Sequence, residues 1–286
     1  HASSRLAGGC RSLKDSAMAR ATFQLIGTAG AIYEEQKVPA MFRPLAQATL
    51  ETVDLRPDDR VLDAACGTGI VGREALARLS SAGSVTGFDL NAGMIDVARR
   101  LTARDTQRCR WHVADASTLP FDDGSFSLVF CQQGLQFFAD EDAALCELHR
   151  VLEPHGRLAM TVWADPSDFF MSLAGALSRH VSDAIGQQSL APFVYAGLNA
   201  LPARMSEIGF ADINIQSLTV PRELTDPGSA IPKEIMGNPV GPEVLGKGPE
   251  IMAKIVRDVL ADMSNYQRGD KLVVPQSANL VVARVR

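Results

Sequence analysis

Cysteine, histidine, net positive charge and long apolar runs are all scarce in this 286-residue chain. Five cysteines, Cys10, Cys66, Cys109, Cys131 and Cys146, form an odd set without paired metal-type spacing, so neither a zinc site nor a disulfide framework is expected, and a reducing, cytoplasmic setting fits. Cys66 and Cys131 read as small buried fillers. No segment approaches the ~18 uninterrupted apolar residues that span a bilayer. Lys and Arg number 28 against 33 Asp and Glu, and a net charge of −5 gives no global pull toward nucleic acid or anionic lipid. The cluster Arg99, Arg100, Arg104, Arg108 and Arg110 reads as a solvated helix end and loop. Repeats and low-complexity tracts are also missing. At 46% hydrophobic residues the chain can bury the core of one large domain, or of a domain with a cap.

The most informative stretch present is Val61-Leu-Asp-Ala-Ala-Cys-Gly-Thr-Gly-Ile-Val-Gly72. Residues 61–65 read as a buried strand, 66–69 as a tight turn and 70–79 as a helix. Gly67, Gly69 and Gly72 also satisfy the dinucleotide fingerprint, with Asp89 at about the spacing of a ribose-binding acid. The glycines alone therefore leave NAD open. Asp63 shifts the balance, because a carboxylate beside this turn repels a pyrophosphate but suits the ammonium and sulfonium of S-adenosylmethionine. Its alternative role is to cap the turn or the helix start.

Three further blocks follow in order: Val85-Thr-Gly-Phe-Asp-Leu-Asn-Ala-Gly-Met-Ile-Asp-Val-Ala-Arg99, the run 113–130 that begins Val-Ala-Asp-Ala-Ser, and Glu147-Leu-His-Arg-Val-Leu-Glu-Pro-His-Gly-Arg-Leu158. Together the four blocks, within residues 60–163, resemble the class I S-adenosylmethionine-dependent methyltransferases, especially the ubiquinone and menaquinone biosynthesis C-methyltransferases and natural-product methyltransferases. Asp89, ending a strand, suits two adjacent ribose hydroxyls. Asp115 suits the adenine amino group and the Ala116 amide a ring nitrogen, with helix capping or a turn bond as the alternative for Asp115. Leu90 and Met94 could pack on the adenine face, and the family pattern tilts Met94 from core to cofactor. Ala65, Gly67, Thr68 and Gly69 complete the cofactor turn. In the resembled family a tyrosine of the N-terminal segment often closes over the methionine part of the cofactor, which makes Tyr33 the candidate, with Phe42 and Arg43 at the same mouth. Gln132 and Gln133 follow the fourth strand and could orient substrate or bond the cofactor ammonium. Gln136, Phe137 and Phe138 would form adjoining wall.

From residue 60 onward strand and helix alternate, giving an α/β, doubly wound, mostly parallel sheet. Strands are predicted at 60–64, 84–89, 110–114, 126–131 and 156–163, with helices at 91–104 and 140–152. A strand at 210–220 and one or two within 272–286 would complete the seven-stranded Rossmann-like sheet that the family implies, the last strand inserted beside its predecessor. Residues 1–20 are expected to be flexible and 21–286 to form the domain. Within it lie N-terminal helices at 21–50, the cofactor core at 60–163, a lid insertion at 164–198 and a second helical insertion at 221–270.

The expected reaction is SN2 transfer of a methyl group to C or O of a small quinone-like, phenolic or polyketide acceptor. No residue declares itself the general base. His112 is mid-strand, His149 leads away from the crevice and His155 lies in a turn at the wrong end of the sheet. His180 and Tyr195 are the remaining catalytic candidates. No metal, nucleic acid or membrane span is expected, and a homodimer is left open. The competing readings are an NAD-dependent oxidoreductase, a nucleic-acid methyltransferase, and a fold relative that keeps the cofactor for another purpose.

Overall fold

A computed structural model describes residues 29–193 and 195–286. The expected flexible segment 1–20, and 21–28 of the N-terminal helices, lie outside the described residues. The strands are β1 (Arg60–Ala64), β2 (Ser84–Asp89), β3 (Cys109–Val113), β4 (Phe126–Gln132), β5 (Leu152–Trp163), β6 (Phe210–Thr225), β7 (Gln267–Arg268) and β8 (Lys271–Val285). They hydrogen-bond in the order β3-β2-β1-β4-β5-β8-β6, with the two-residue β7 paired to β8. Neighbours from β3 to β5 are parallel, and β8 runs antiparallel to both β5 and β6. The mostly parallel sheet with an inserted last strand is therefore present.

Apolar runs such as Val61 and Leu62 in β1 and 128–131 in β4 are buried because helices cover both faces. On one side lie α2 (Arg43–Thr52), α3 (Ile70–Leu76) and α4 (Ala92–Leu101), and on the other α5 (Glu141–Val151) and α8 (Leu201–Ile208). The starts follow from capping chemistry: the Asn91 side chain accepts from the Gly93 and Met94 amides, and Asp140 accepts from the Ala143 amide at 2.9 Å. The N-terminal helix α1 (Ala29–Ile32) leads into a π-helical segment, Tyr33–Phe42, that contains Pro39. Proline has no N–H to donate, which favours a local departure from regular α-helical bonding.

Two boundaries differ from expectation for long-range reasons. β5 starts at Leu152, not 156, because Leu152 pairs with Phe126 before a bulge that carries His155 at φ +64°. β6 continues to Thr225, and residues 219–225 pair with 271–277 beyond Trp163–Ala278, the last β5–β8 pair. This projecting ladder carries a second core, to which α6 (Asp168–His180), α7 (Asp183–Ser189), α9 (Pro227–Met236), α10 (Gly241–Gly246) and α11 (Pro249–Asp262) contribute. Among the described residues no helix is long and apolar enough to cross a membrane. Cys66, Cys109 and Cys131 are buried free thiols, whereas Cys146 is disulfide-bonded, a departure from the expectation of thiols alone.

Candidate active site

Above the carboxyl ends of β1, β2 and β4 lies a cavity of about 290 Å³, the place where open α/β sheets hold ligands. Its floor is the glycine turn. Ala65, Gly67 and Gly69 all have positive φ, and the Gly69 amide donates to the Cys66 carbonyl at 2.8 Å. Asp89 braces the turn: one carboxylate oxygen accepts from the Gly67 amide and the other from the Asn91 amide, each at 2.8 Å. A Cβ on Gly67 would meet nothing nearer than the Tyr33 ring at 4.0 Å, so bare backbone faces the cavity. Gly134, after β4, is required because a Cβ there would stand 2.6 Å from Ala65 Cβ.

Gly69 and Gly72 serve a different end. A Cβ on Gly69 would overlap the Trp111 indole, and one on Gly72 would lie 2.9 Å from it. The glycine spacing that leaves a dinucleotide open is thus partly a seat for a tryptophan from β3.

Asp63 is placed for both roles considered for it. It lines the cavity, and its Oδ2 accepts from the Gly72 amide at 2.8 Å in the first turn of α3. Burial pushes its carboxyl up to about 7, with the Asp89 charge adding to the rise and the Gly72 amide and Arg73 opposing it. In an unfolded chain the group ionises near pH 3.9. Between about pH 4 and 7 the unfolded chain therefore releases a proton that the folded protein keeps, and stability falls as pH climbs through that window. Asp63→Asn is expected to gain on the wild type in melting temperature from about pH 5 to pH 8; a difference that stays flat with pH would refute it.

Asp115 and Ala116 line the cavity after β3, and Asp115 Oδ1 is already taken by the Ser117 amide and hydroxyl at 2.9 and 2.8 Å. Leu90, half-exposed, and Met94, buried, lie on the same side. After β4, Gln132 donates to the Phe42 carbonyl at 3.2 Å, and Gln133, at φ +57°, donates to Thr161 at 3.3 Å. The Oε1 atoms of both are buried and, among the described residues, have no partner. A buried acceptor without a donor is costly unless a ligand supplies one.

Six sequence candidates lie off the cavity lining. Thr68 donates to Glu34 at 2.6 Å, and Glu34 also takes Arg73 at 2.7 Å, so this cluster pins the π-helical segment onto the turn. Gly69 faces Trp111. His180, on α6, bonds Asp258 of α11 at 2.9 Å, and the Tyr195 hydroxyl donates to Glu141 at 3.1 Å within an Arg204 ion-pair cluster. Both catalytic candidates are thereby committed to tying elements together. Arg43 pairs with Glu74 instead of lining the mouth, and Gln136 bonds the Pro192 carbonyl at 2.8 Å. Phe137 and Phe138 do line the cavity.

Beyond Tyr33 and Phe42, the opposite wall was not evident from the sequence. An aromatic chain runs from Tyr33 through Phe42, Trp163 and Phe193 to Phe170, with ring centroids 5.1, 6.0, 5.9 and 4.0 Å apart in turn. At its far end Glu234 of α9 forms ion pairs with Lys37 and Arg222. Burial and the surrounding acids Asp89, Glu34 and Asp63 push the Tyr33 phenol well above its usual range, so it remains protonated.

Residues 61–156 match a family described as a methyltransferase domain. The ubiquinone/menaquinone biosynthesis C-methyltransferase UbiE of Xanthomonas campestris is 34% identical over 187 residues, covering 59% of this chain and 72% of that protein. The chain belongs to the class I S-adenosylmethionine-dependent methyltransferases. Its fold is shared with YcgJ of Bacillus subtilis (TM-score 0.55, 19% identity, covering 84% of this chain and 97% of that one). It is shared also with the Haemonchus contortus phosphoethanolamine N-methyltransferase 2 in complex with S-adenosylmethionine (TM-score 0.56, 20% identity, covering 90% and 57%).

S-adenosylmethionine is accordingly the cofactor of this methyltransferase. The residues fit it. Carboxylates of Asp63 and Asp89 suit a cationic ligand, and Arg73, four residues after Gly69, is paired with Glu34 and does not line the cavity. The unpartnered Gln132 and Gln133 oxygens are acceptors for a donor such as an ammonium.

Proposed function

We propose that this methyltransferase transfers its methyl group to C or O of a small quinone-like, phenolic or polyketide acceptor. The observation that carries this reading is the continuity of the cavity from the acidic strand ends to the aromatic wall, a chamber suited to a planar apolar molecule. The relatedness to a C-methyltransferase of quinone biosynthesis supports it.

In this reading Asp89 takes the ribose hydroxyls, Asp115 and Ala116 the adenine edge, and Leu90 and Met94 its face. Ala65 and Gly67 line the methionine side, while Asp63, Gln132 and Gln133 face the cationic part and Tyr33 covers it. Bound there, S-adenosylmethionine would supply an electrophilic methyl on a sulfonium, the acceptor atom bonding to that carbon in line as the carbon–sulfur bond breaks and S-adenosylhomocysteine leaves. Positioning and exclusion of water carry much of the rate. Residues 164–198 and 221–270 act as the cap: Phe170 and Phe193 from the first, and Glu234 with Gly237 from the second, reach the cavity. Thr68 and Gly69 act on the cofactor indirectly, by fixing the turn. His180 and Tyr195 have no part in the chemistry in this reading, since their polar atoms are engaged elsewhere. Three buried free thiols support a cytoplasmic setting, and the Cys146 disulfide counts against it.

Incubation with S-adenosylmethionine and a panel of phenols, hydroquinones and 1,3-dicarbonyls should add one methyl to at least one class. Mass spectrometry counts the methyl and NMR places it on C or O. Methylation confined to amines or to an RNA transcript would overturn this assignment.

A further inference from the structure

The far end of the cavity holds a charged group to which the cofactor reading above gives no role. Lys37 projects from the π-helical segment, one turn beyond Tyr33, and lines the cavity together with Glu234. Glu234 is shared: one carboxylate oxygen takes the Lys37 ammonium and the other takes the Arg222 guanidinium. Arg222 is fully buried and stacks on Phe170 and Phe169, its guanidinium carbon 4.7 and 5.3 Å from the ring centroids. The two cations hold the Glu234 carboxyl down at about 2 against the upward pull of burial, so it is a fixed anion and no proton donor.

Two cations share one carboxylate, which leaves one positive charge in excess. Arg222 is sealed behind the phenylalanines and does not line the cavity, so the excess is presented by Lys37. An ammonium has three N–H donors. Among the described residues Lys37 bonds Glu234 alone, and its Nζ packs against Gly237, where a Cβ would stand 3.3 Å away. Two donors are thus left for a ligand, beside the aromatic wall of Phe170, Phe193 and Trp163. The cavity is electrically polar along its length, with Asp63 and Asp89 at the glycine turn and the surplus cation at the capped end. A cationic methyl donor suits the first end and an anion the second.

We propose that Lys37 anchors an anionic oxygen of a planar aromatic acceptor, so that this methyltransferase takes its acceptor as a carboxylate or phenolate. The inference rests on the small-molecule methyltransferase reading above and adds the charge state of the acceptor. Arg222 and Glu234 are positioning residues: they neutralise each other and hold the ammonium at the wall, while Lys37 makes the contact.

The test is calorimetric titration of the protein saturated with S-adenosylhomocysteine. Two pairs of probes match in shape and differ in charge: 2-naphthoate against 2-naphthamide, and 4-nitro-1-naphthol, ionised at the working pH, against its methyl ether. In the wild type at least one anion should bind about tenfold or more tighter than its neutral partner, as a charge-assisted hydrogen bond in a sheltered site provides. The pair that discriminates identifies the anion as carboxylate or phenolate. Lys37→Met should abolish the preference while leaving S-adenosylhomocysteine affinity within about twofold, and Lys37→Arg should retain it. A purely structural tether would alter melting temperature without moving this ratio. Equal binding within both pairs, binding of no probe, or a preference that survives Lys37→Met overturns the inference while the methyltransferase reading stands. Failure of the wild type to bind S-adenosylhomocysteine overturns both.

Discussion

Asp89→Ala is expected to weaken S-adenosylhomocysteine binding by about 1–3 kcal/mol, roughly 5- to 150-fold. Two losses combine. The substitution removes the carboxylate that would accept from the ribose hydroxyls. It also strips the Gly67 and Asn91 amides of their acceptor, both now bonded at 2.8 Å, and so loosens the turn that presents bare backbone to the cofactor. Asp89→Asn retains one carbonyl oxygen and should lose less. Isothermal titration of wild type and both variants checks this, with NAD run in parallel. Unchanged affinity in Asp89→Ala would remove the ribose role, and binding of NAD by the wild type would reopen the dinucleotide reading.

Gly69→Ala is expected to destabilise the fold by about 2–5 kcal/mol, combining overpacking of about 1–3 with about 1–2 for an L-residue held in the left-handed region. Gly69 stands at φ +79°, and its added methyl would overlap the Trp111 ring. That ring has little freedom to retreat. It is buried, its Nε1 donates to Thr102 at 2.8 Å, and Gly72 and Gly87 bound the same slot. Gly87→Ala should be destabilising for the steric reason alone, since its backbone carries no positive φ. Pairing Gly87→Ala with Trp111→Leu vacates the slot and should recover part of the loss that the two single changes sum to. Urea unfolding of the cycle measures this. Strict additivity, or a Gly69→Ala protein as stable as wild type, would show that the indole does not set the glycine pattern.

The turn and strand-end residues that line the cavity were legible in the sequence because they are local. Asp63, Ala65 and Gly67 fall within five consecutive residues, and Asp89, Asp115 and Gln132 each stand at or just beyond a strand's carboxyl end, where parallel pairing places them side by side. A strand–turn–helix signal therefore carries both fold and site. It could not separate the glycine that meets the cavity from those that seat Trp111, because that indole arrives from a strand some forty residues later. Nor could it show that Thr68 turns away toward Glu34, or that His180 and Tyr195 are spent on Asp258 and Glu141, since each partner lies on a different element.

By itself the sequence indicated the class of fold through apolar periodicity, and the family and cofactor through the resemblance carried by four ordered blocks, the first an acidic, glycine-rich turn whose geometry is set by neighbouring residues. Only the tertiary structure decided what the acceptor end contains. The aromatic chain and the Lys37–Glu234–Arg222 cluster draw on the π-helical segment, the extended β6–β8 ladder and α9, with Lys37 and Glu234 separated by 197 positions. No local propensity encodes such a meeting. It follows from long-range strand pairing that carries β6 and β8 past the edge of the parallel sheet, and from burial of the second core that brings α6 and α9 to the cavity.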